Sequence, residues 1–206
     1  YICPGNNPKH KNLRMMEQKS FRTVAATQGG VIGLVLAASM CFETYTTLSG
    51  RVGLMGLMLV EWVAVVILHY WLLNRYTKQY AAQFPAEEGV PFYRVYGYVL
   101  LLSLCAGVFV GLAQAVYMHG VLGYSAYIEQ YADALKQLLS QSPASSQMEP
   151  MLKQMFAQLE AAPVPSVLQT AWSGVTGSIL FGGFFGLIIA GVQSRQPELF
   201  TPKQEE

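Results

Sequence analysis

Charged side chains are scarce in this 206-residue sequence, where 13 Lys and Arg and 12 Asp and Glu make up only 12% of the residues. Soluble domains carry about twice that share of charge. Hydrophobic residues reach 52%. This balance excludes an ordinary soluble domain and is typical of a membrane protein. We expect the lipid bilayer as its surroundings and no nucleic-acid partner.

Motifs that would carry chemistry are also lacking. The sequence has no HExxH motif, no glycine-rich phosphate loop after a predicted strand and no recognisable Ser/His/Asp set. Two of its three cysteines, Cys41 and Cys105, fall in apolar runs, and Cys3 is near the start, so no disulfide framework is implied. His69 and His119 are predicted near opposite membrane interfaces and cannot share an ion. We therefore expect no enzyme activity, no cofactor and no metal site.

Four apolar runs are long enough to cross a hydrocarbon core of roughly 30 Å at about 1.5 Å per helical residue. They cover about residues 24–46, 54–73, 95–118 and 167–192. The prediction is an all-α polytopic membrane protein with one four-helix domain over 16–195. Residues 1–15 lack apolar periodicity and are expected to be a disordered or non-native tail, and 196–206 a cytoplasmic tail.

Basic residues are distributed unevenly between the two sides of the predicted spans. Ten of the 13 precede the first span, lie between the second and third, or follow the fourth. The other side holds Arg51, Lys136 and Lys153. Short loops rich in Lys and Arg stay in the cytoplasm. The pattern predicts a multi-pass protein of the bacterial inner membrane with both termini cytoplasmic.

Small residues recur every four positions along three of the spans. The glycines in these stripes include Gly29, Gly33, Gly107, Gly111, Gly182 and Gly186. Because lipid offers little hydrophobic drive between helices, close association depends on small side chains that let backbones approach. We predict that spans 1, 3 and 4 pack through these faces and that span 2 is more exposed to lipid. The alternative is that glycine is simply common in membrane helices.

The segment between the third and fourth spans, about residues 124–162, carries two amphipathic helical patterns separated by the turn sequence SQSPASSQ. They predict an extracytoplasmic helical hairpin. One face of its second helix includes Met148, Met151, Met155 and Phe156. Methionine surfaces adapt to partners, so this face is a candidate site for a membrane or envelope protein. Its thioethers could also offer ligands to copper(I), but their place on an apolar stripe favours packing.

The topology and the hairpin sequence QMEPMLKQMFAQLE together resemble a bacterial membrane-protein family known as domain of unknown function 4199. The resemblance covers about residues 18–195 and rests on four spans, glycine-rich first and last spans, and the Met-, Leu- and Gln-rich hairpin. It implies a four-helix membrane fold. It implies no activity, because the family brings no functional residues to carry over.

One carboxylate, Glu61, stands within the run LMGLMLVEWVAVVILHYWLL. A charge in the hydrocarbon region costs roughly 2.5–3.5 kcal/mol on insertion scales, so such a residue normally faces the bundle or water. The polar residues at similar depth are Ser39, Gln114 and Ser173. Glu61 is either a protonatable site in an outward-facing cavity or an interhelical hydrogen-bonding group. The first interpretation gives an oligomeric small transporter or proton-coupled unit. The second, which we favour, gives a non-enzymatic structural, assembly or interaction protein.

Overall fold

The computed structural model describes residues 8–49, 52–85, 88–140 and 163–196, with single positions at 154 and 158. Within these residues the chain forms long helices and no β-strand. The helices are α1 (Pro8–Leu48), α2 (Val52–Ala81), α3 (Phe92–Ala115), α4 (Tyr124–Ser140) and α5 (Val167–Gln193). A π-helical turn, Val116–Val121, joins α3 to α4.

Four of the helices contain segments long and apolar enough to cross a membrane. The segments are Phe21–Leu48, Gly56–Ala81, Phe92–Val121 and Val167–Gln193. They overlap the four predicted runs. The second begins two residues later than predicted and continues eight residues further, and the other three differ from the prediction by three residues or fewer at each end. The prediction of an all-α polytopic membrane protein with four spans is confirmed.

Helix α1 begins at Pro8, inside the segment 1–15 for which the sequence predicts a disordered tail. Proline is tolerated in the first turn of a helix because the backbone N–H groups there have no intrahelical acceptor. The Lys, Leu, Arg and Met residues that follow are good helix formers. Helix α1 therefore includes residues 8–15, which the tail prediction leaves out. Residues 1–7 and 197–206 lie outside the described residues.

Helix α3 is at the centre of the bundle, packed against α5 on one side and α1 on another. The main cluster of buried side chains joins α1, α2, α3 and α5. Its members are Ala25, Ile32, Leu72, Leu73, Tyr98, Val99, Leu102, Ala106 and Ile189. Helix α2 packs less extensively and keeps apolar side chains such as Leu59 and Ile67 exposed. An exposed apolar flank of this kind suits contact with lipid.

The connection between α2 and α3 and the end of α5 are tied together at one end of the bundle. Val90 and Arg195 form an isolated antiparallel bridge, with N···O distances of 2.8 and 2.9 Å. The Arg195 guanidinium also donates to the carbonyl oxygen of Ala81 at 3.0 Å. Because Arg75, Lys78 and Arg195 lie here, we call this the basic end. The opposite end, where α4 follows α3, is the α4 end.

Helix α4 is the first helix of the predicted hairpin and it contacts α1. Its amphipathic pattern is reflected in Ala134, which is buried, and in Gln130, which is exposed. The second predicted helix of the hairpin, with Met148, Met151, Met155 and Phe156, lies outside the described residues.

Candidate functional site

Glu61 lies on α2, partly buried against α1. The Ser39 hydroxyl of α1 donates a hydrogen bond to Glu61 Oε1, with an O···O distance of 2.5 Å. The second carboxyl oxygen, Oε2, is buried and has no hydrogen-bond partner among the described residues. Buried polar groups are normally paired. The carboxyl group is therefore held at one oxygen and unsatisfied at the other.

A second carboxyl group, that of Glu43, stands one helical turn beyond Ser39 on α1. It is exposed and close enough to Glu61 for the two carboxylates to repel each other when both are charged. Its charge also reaches Tyr127 of α4. Burial raises the pKa of Tyr127 above its usual 10.0, and the phenols of Tyr131 and Tyr124 and the Glu43 carboxyl act in the same direction. Carboxyl and phenol groups thus lie near one another where α1 contacts α2 and α4.

Of the three candidate partners of Glu61, only Ser39 hydrogen-bonds to it in the described part of the chain. The Ser173 hydroxyl donates instead to the Thr170 carbonyl of its own helix at 2.7 Å. Gln114 faces the α3–α5 contact, where its side-chain oxygen lies 3.2 Å from the position that a Cβ at Gly174 would take. The proposed four-residue polar site is thus a Ser39–Glu61 pair, because Glu61 packs on α1 and not at the α3–α5 contact.

The glycines of α1 lie against the backbone of α3. A Cβ added at Gly29 would come within 2.8 Å of the Leu102 carbonyl oxygen, and one at Gly33 within 2.8 Å of the Ala106 carbonyl oxygen. Real Cβ atoms essentially never approach backbone so closely. Larger residues at Gly29 or Gly33 would therefore push α1 away from α3.

Glycines also mediate the contact between α3 and α5. A Cβ at Gly107 would lie 2.9 Å from the Cα of Val175, and one at Gly111 would overlap the backbone of Ala171. On α5, Gly182 lies against the Ser103 side chain. A Cβ at Gly186 would lie 3.2 Å from side-chain atoms of Tyr96 and Val99. The four glycines lie along one continuous seam between the two helices.

The match to a family model covers residues 27–195, which include most of the first span and all of the other three. The family's description is "Protein of unknown function (DUF4199)". The chain belongs to this family. Comparison with curated proteins and with solved structures finds no match. The DUF4199 region contains Ser39, Glu61 and every packing glycine named above.

A second polar network in the DUF4199 fold was not anticipated from the sequence. The Tyr98 hydroxyl of α3 donates to Gln28 Oε1 of α1 at 2.5 Å, and Gln28 Nε2 donates to Gln79 Oε1 of α2 at 3.3 Å. The ring of Tyr80 stacks on that of Tyr98 with centroids 4.2 Å apart. The signal was present, since Gln28 interrupts an apolar run as Glu61 does. This network joins three helices near the basic end.

The two histidines of the spans have different surroundings. His119 Nε2 lies 2.8 Å from Thr170 Oγ1, a contact between the end of the third span and α5. His69 of α2 is only 7% exposed, packs edge-on against Phe185, and has no partner for Nε2 among the described residues. No group of three or more His, Cys, Asp or Glu side chains suited to a metal ion occurs in the described part of the chain.

Proposed function

We propose that this DUF4199 protein is a non-enzymatic structural, assembly or interaction component of the bacterial inner membrane. The observation that carries the proposal is the Ser39–Glu61 hydrogen bond, which uses the one carboxyl group in the middle of α2 to join two helices. Interhelical hydrogen bonds of this kind contribute about 0.6 kcal/mol on average in membranes. The glycine seams that bring α1 and α5 against α3 support the same interpretation.

The surface expected to bind a partner is the face that the sequence predicts for Met148, Met151, Met155 and Phe156. The partner is a membrane or envelope protein, or a second copy of this chain in a homo-oligomer. The uneven distribution of basic residues supports cytoplasmic termini, which would direct this face away from the cytoplasm. A photo-crosslinking residue at Met151 should give one adduct of defined mass in intact cells. The same residue at the exposed Gln130 should give none.

A small proton-coupled transporter is the second candidate, favoured by the unpaired Oε2 of Glu61 and by the neighbouring Glu43 carboxyl. Two nearby carboxylates repel each other, which favours a proton on one of them, as a proton-coupled site requires. Four spans are few for a transporter, so this function requires an oligomer around a shared pathway.

Proton flux into vesicles separates the two functions. The purified full-length chain is reconstituted with a pH-sensitive dye inside the vesicles, and an imposed pH gradient is followed over time. If the protein has a structural role, vesicles that contain the wild type or Glu61→Gln should lose the pH gradient at the same rate as empty vesicles. Flux through the wild type that Glu61→Gln abolishes would replace the structural proposal with proton coupling, because an amide cannot titrate. A folded Ser39→Ala variant serves as the control that disturbs the pair without removing the carboxyl group.

A further inference from the structure

An open groove of about 510 Å³ runs beside α2 near the basic end. Its lining residues are Trp71, Asn74, Arg75, Lys78, Gln79 and Ala82. Its volume falls in the range of small-ligand sites, roughly 300–1,000 Å³. We call it the α2 groove. Neither the Ser39–Glu61 pair nor the packing glycines contribute to it.

The side chains of the α2 groove favour an anion. Arg75 and Lys78 are three residues apart on one helical face and both are exposed. Neither forms an ion pair among the described side chains, and none of the six lining residues is acidic. The Arg75 guanidinium lies over the Trp71 ring, 5.0 Å from its centroid, which positions the cation within the groove.

The two amide side chains of the groove add hydrogen-bond donors. Asn74 Oδ1 accepts from Gln193 Nε2 at 3.0 Å, and Gln79 Oε1 accepts from Gln28 Nε2 at 3.3 Å. An amide side chain offers one carbonyl acceptor and one NH₂ donor group. Because both carbonyls already accept a bond from a neighbouring helix, the NH₂ groups of Asn74 and Gln79 remain to donate. Two cations and two amide donors together suit phosphate oxygens.

The position of the groove along α2 matches the lipid headgroup layer. Arg75 lies roughly 28 Å along the helix from Gly56, the start of the span, which is close to the thickness of the hydrocarbon core. Trp71, one turn earlier, is 49% exposed and falls at the level where tryptophan commonly marks the membrane interface. Ile67 and Leu68, a further turn into the span, are exposed. The groove therefore continues into a lipid-facing apolar flank.

We propose that the α2 groove binds the phosphate headgroup of an anionic phospholipid. Arg75 and Lys78 pair with the phosphate, Asn74 and Gln79 donate to its oxygens, and the acyl chains lie along Ile67 and Leu68. A soluble phosphate would use the same four polar groups but would gain nothing from the apolar flank, which is why the lipid is the occupant. Basic pockets at the cytoplasmic side of membrane helices bind such headgroups by the same chemistry.

Trp71 provides a reporter inside the groove. The sequence has three tryptophans, so Trp62→Phe with Trp172→Phe leaves Trp71 alone in the full-length chain. The protein is reconstituted in mixtures of phosphatidylglycerol and phosphatidylcholine in which one or the other carries brominated acyl chains. Quenching of Trp71 then measures the relative affinity for the two lipids. We expect preferential quenching by phosphatidylglycerol, and a loss of roughly fivefold in relative affinity for each basic side chain removed by Arg75→Gln or Lys78→Gln.

Two controls make the test specific. Arg94→Gln removes another exposed arginine of the basic end, one that lies 5.8 Å from the Phe84 ring centroid, and should leave the preference at Trp71 unchanged. A chain that retains only Trp62, on the same helix but far from the groove, should show no preference. Arg75→Lys keeps the positive charge and should keep most of the preferential quenching. This result would show that the loss in Arg75→Gln comes from the missing charge and not from misfolding.

Three results would overturn the proposal. Equal quenching of Trp71 by the two lipids would show that the groove does not select an anionic headgroup. A preference that survives the Arg75→Gln/Lys78→Gln double variant, or that Arg94→Gln removes, would place the lipid elsewhere. Relief of the preferential quenching by millimolar inorganic phosphate, but not by sodium chloride of equal ionic strength, would show that the apolar flank adds nothing to headgroup binding and that a soluble phosphate is the occupant.

Discussion

Ser39 of α1 and Glu61 of α2 are joined by a hydrogen bond of 2.5 Å, while the second Glu61 oxygen is buried and has no hydrogen-bond partner in the part of the chain that the structure describes. The hydrogen bond and the second oxygen have opposite effects on the stability of the bundle. The bond joins α1 to α2, and the unpaired oxygen offsets part of that gain because a buried acceptor without a donor is costly. The coupling free energy between the two residues therefore has to be measured directly.

A double-mutant cycle provides that measurement. Ser39→Ala and Glu61→Leu each remove the bond, and their coupling free energy should fall near the 0.6 kcal/mol average for membrane helices, up to about 1.7 kcal/mol. Unfolding in mixed micelles by a denaturing detergent measures each variant. Thr27→Ala with Glu61→Leu is the control pair, because Thr27 bonds to the Thr23 carbonyl of its own helix and should show no coupling. A cycle with no coupling at Ser39 would mean that the contact does not stabilise the bundle.

Glu61→Gln should behave differently from Glu61→Leu. The amide carbonyl can still accept from Ser39, so we expect the free energy of unfolding to stay within about 0.5 kcal/mol of wild type. The leucine variant leaves the part-buried Ser39 hydroxyl without its partner and should lose about 1–3 kcal/mol. The same detergent titration compares the two. A glutamine variant as unstable as the leucine variant would show that the negative charge itself is needed at this position.

Much of the fold was predictable from the sequence because membrane spans are governed by composition over some twenty residues. The stretch around Glu61 is recognisable as a span for this reason, and the small-residue spacing identifies the glycines that lie against neighbouring helices. The partner of Glu61 was predicted only as one of three, because depth along a helix is readable from sequence whereas the rotation of each helix is not. Ser39, Gln114 and Ser173 share a depth but face different neighbours.

The features that the sequence left undetected depend on the order in which helices surround one another. Gln28 and Gln79 are 51 residues apart and meet across α1 and α2, and Tyr98 joins them from α3. The sequence marks each as a polar or aromatic residue in a span, but pairing them requires knowing which faces meet. The α2 groove could not be predicted for the same reason, because the side chains of Asn74 and Gln79 are held in place by hydrogen bonds from residues of α5 and α1.

Tyr127 should make the stability of the protein sensitive to alkaline pH. Its pKa in the folded chain is raised above the usual 10.0, chiefly by burial, so its contribution is fully present below pH 10.0 and is lost as the pH rises through the folded value. Tyr127→Phe removes this titration. Thermal unfolding of the two proteins should differ little at neutral pH, and the wild type should lose more stability than the variant above pH 10.0. Parallel loss in both would contradict burial of this phenol.

Cysteine accessibility tests the orientation of the bundle. In a background with Cys3, Cys41 and Cys105 replaced, Gln83→Cys places a thiol at the exposed connection of the basic end, and Gln130→Cys places one on the exposed face of α4. With the basic end in the cytoplasm, an impermeant thiol reagent should label only position 130 in intact cells and both positions after lysis. Labelling of position 83 alone in intact cells would reverse the orientation.

The α3–α5 seam allows a matched test of close packing within the same two helices. A Cβ at Gly111 would overlap the Ala171 backbone and one at Gly182 would overlap the Ser103 side chain, whereas Cβ atoms at Gly97 of α3 and Gly177 of α5 would meet nothing within 4 Å. Gly111→Leu and Gly182→Leu should each separate the helices and cost about 1–3 kcal/mol or more. Gly97→Leu and Gly177→Leu should stay near wild-type stability or exceed it, because leucine is the better helix former. Thermal unfolding in one detergent measures all four. Equal stability of the seam variants and their controls would show that the α3–α5 contact does not depend on close approach at these glycines.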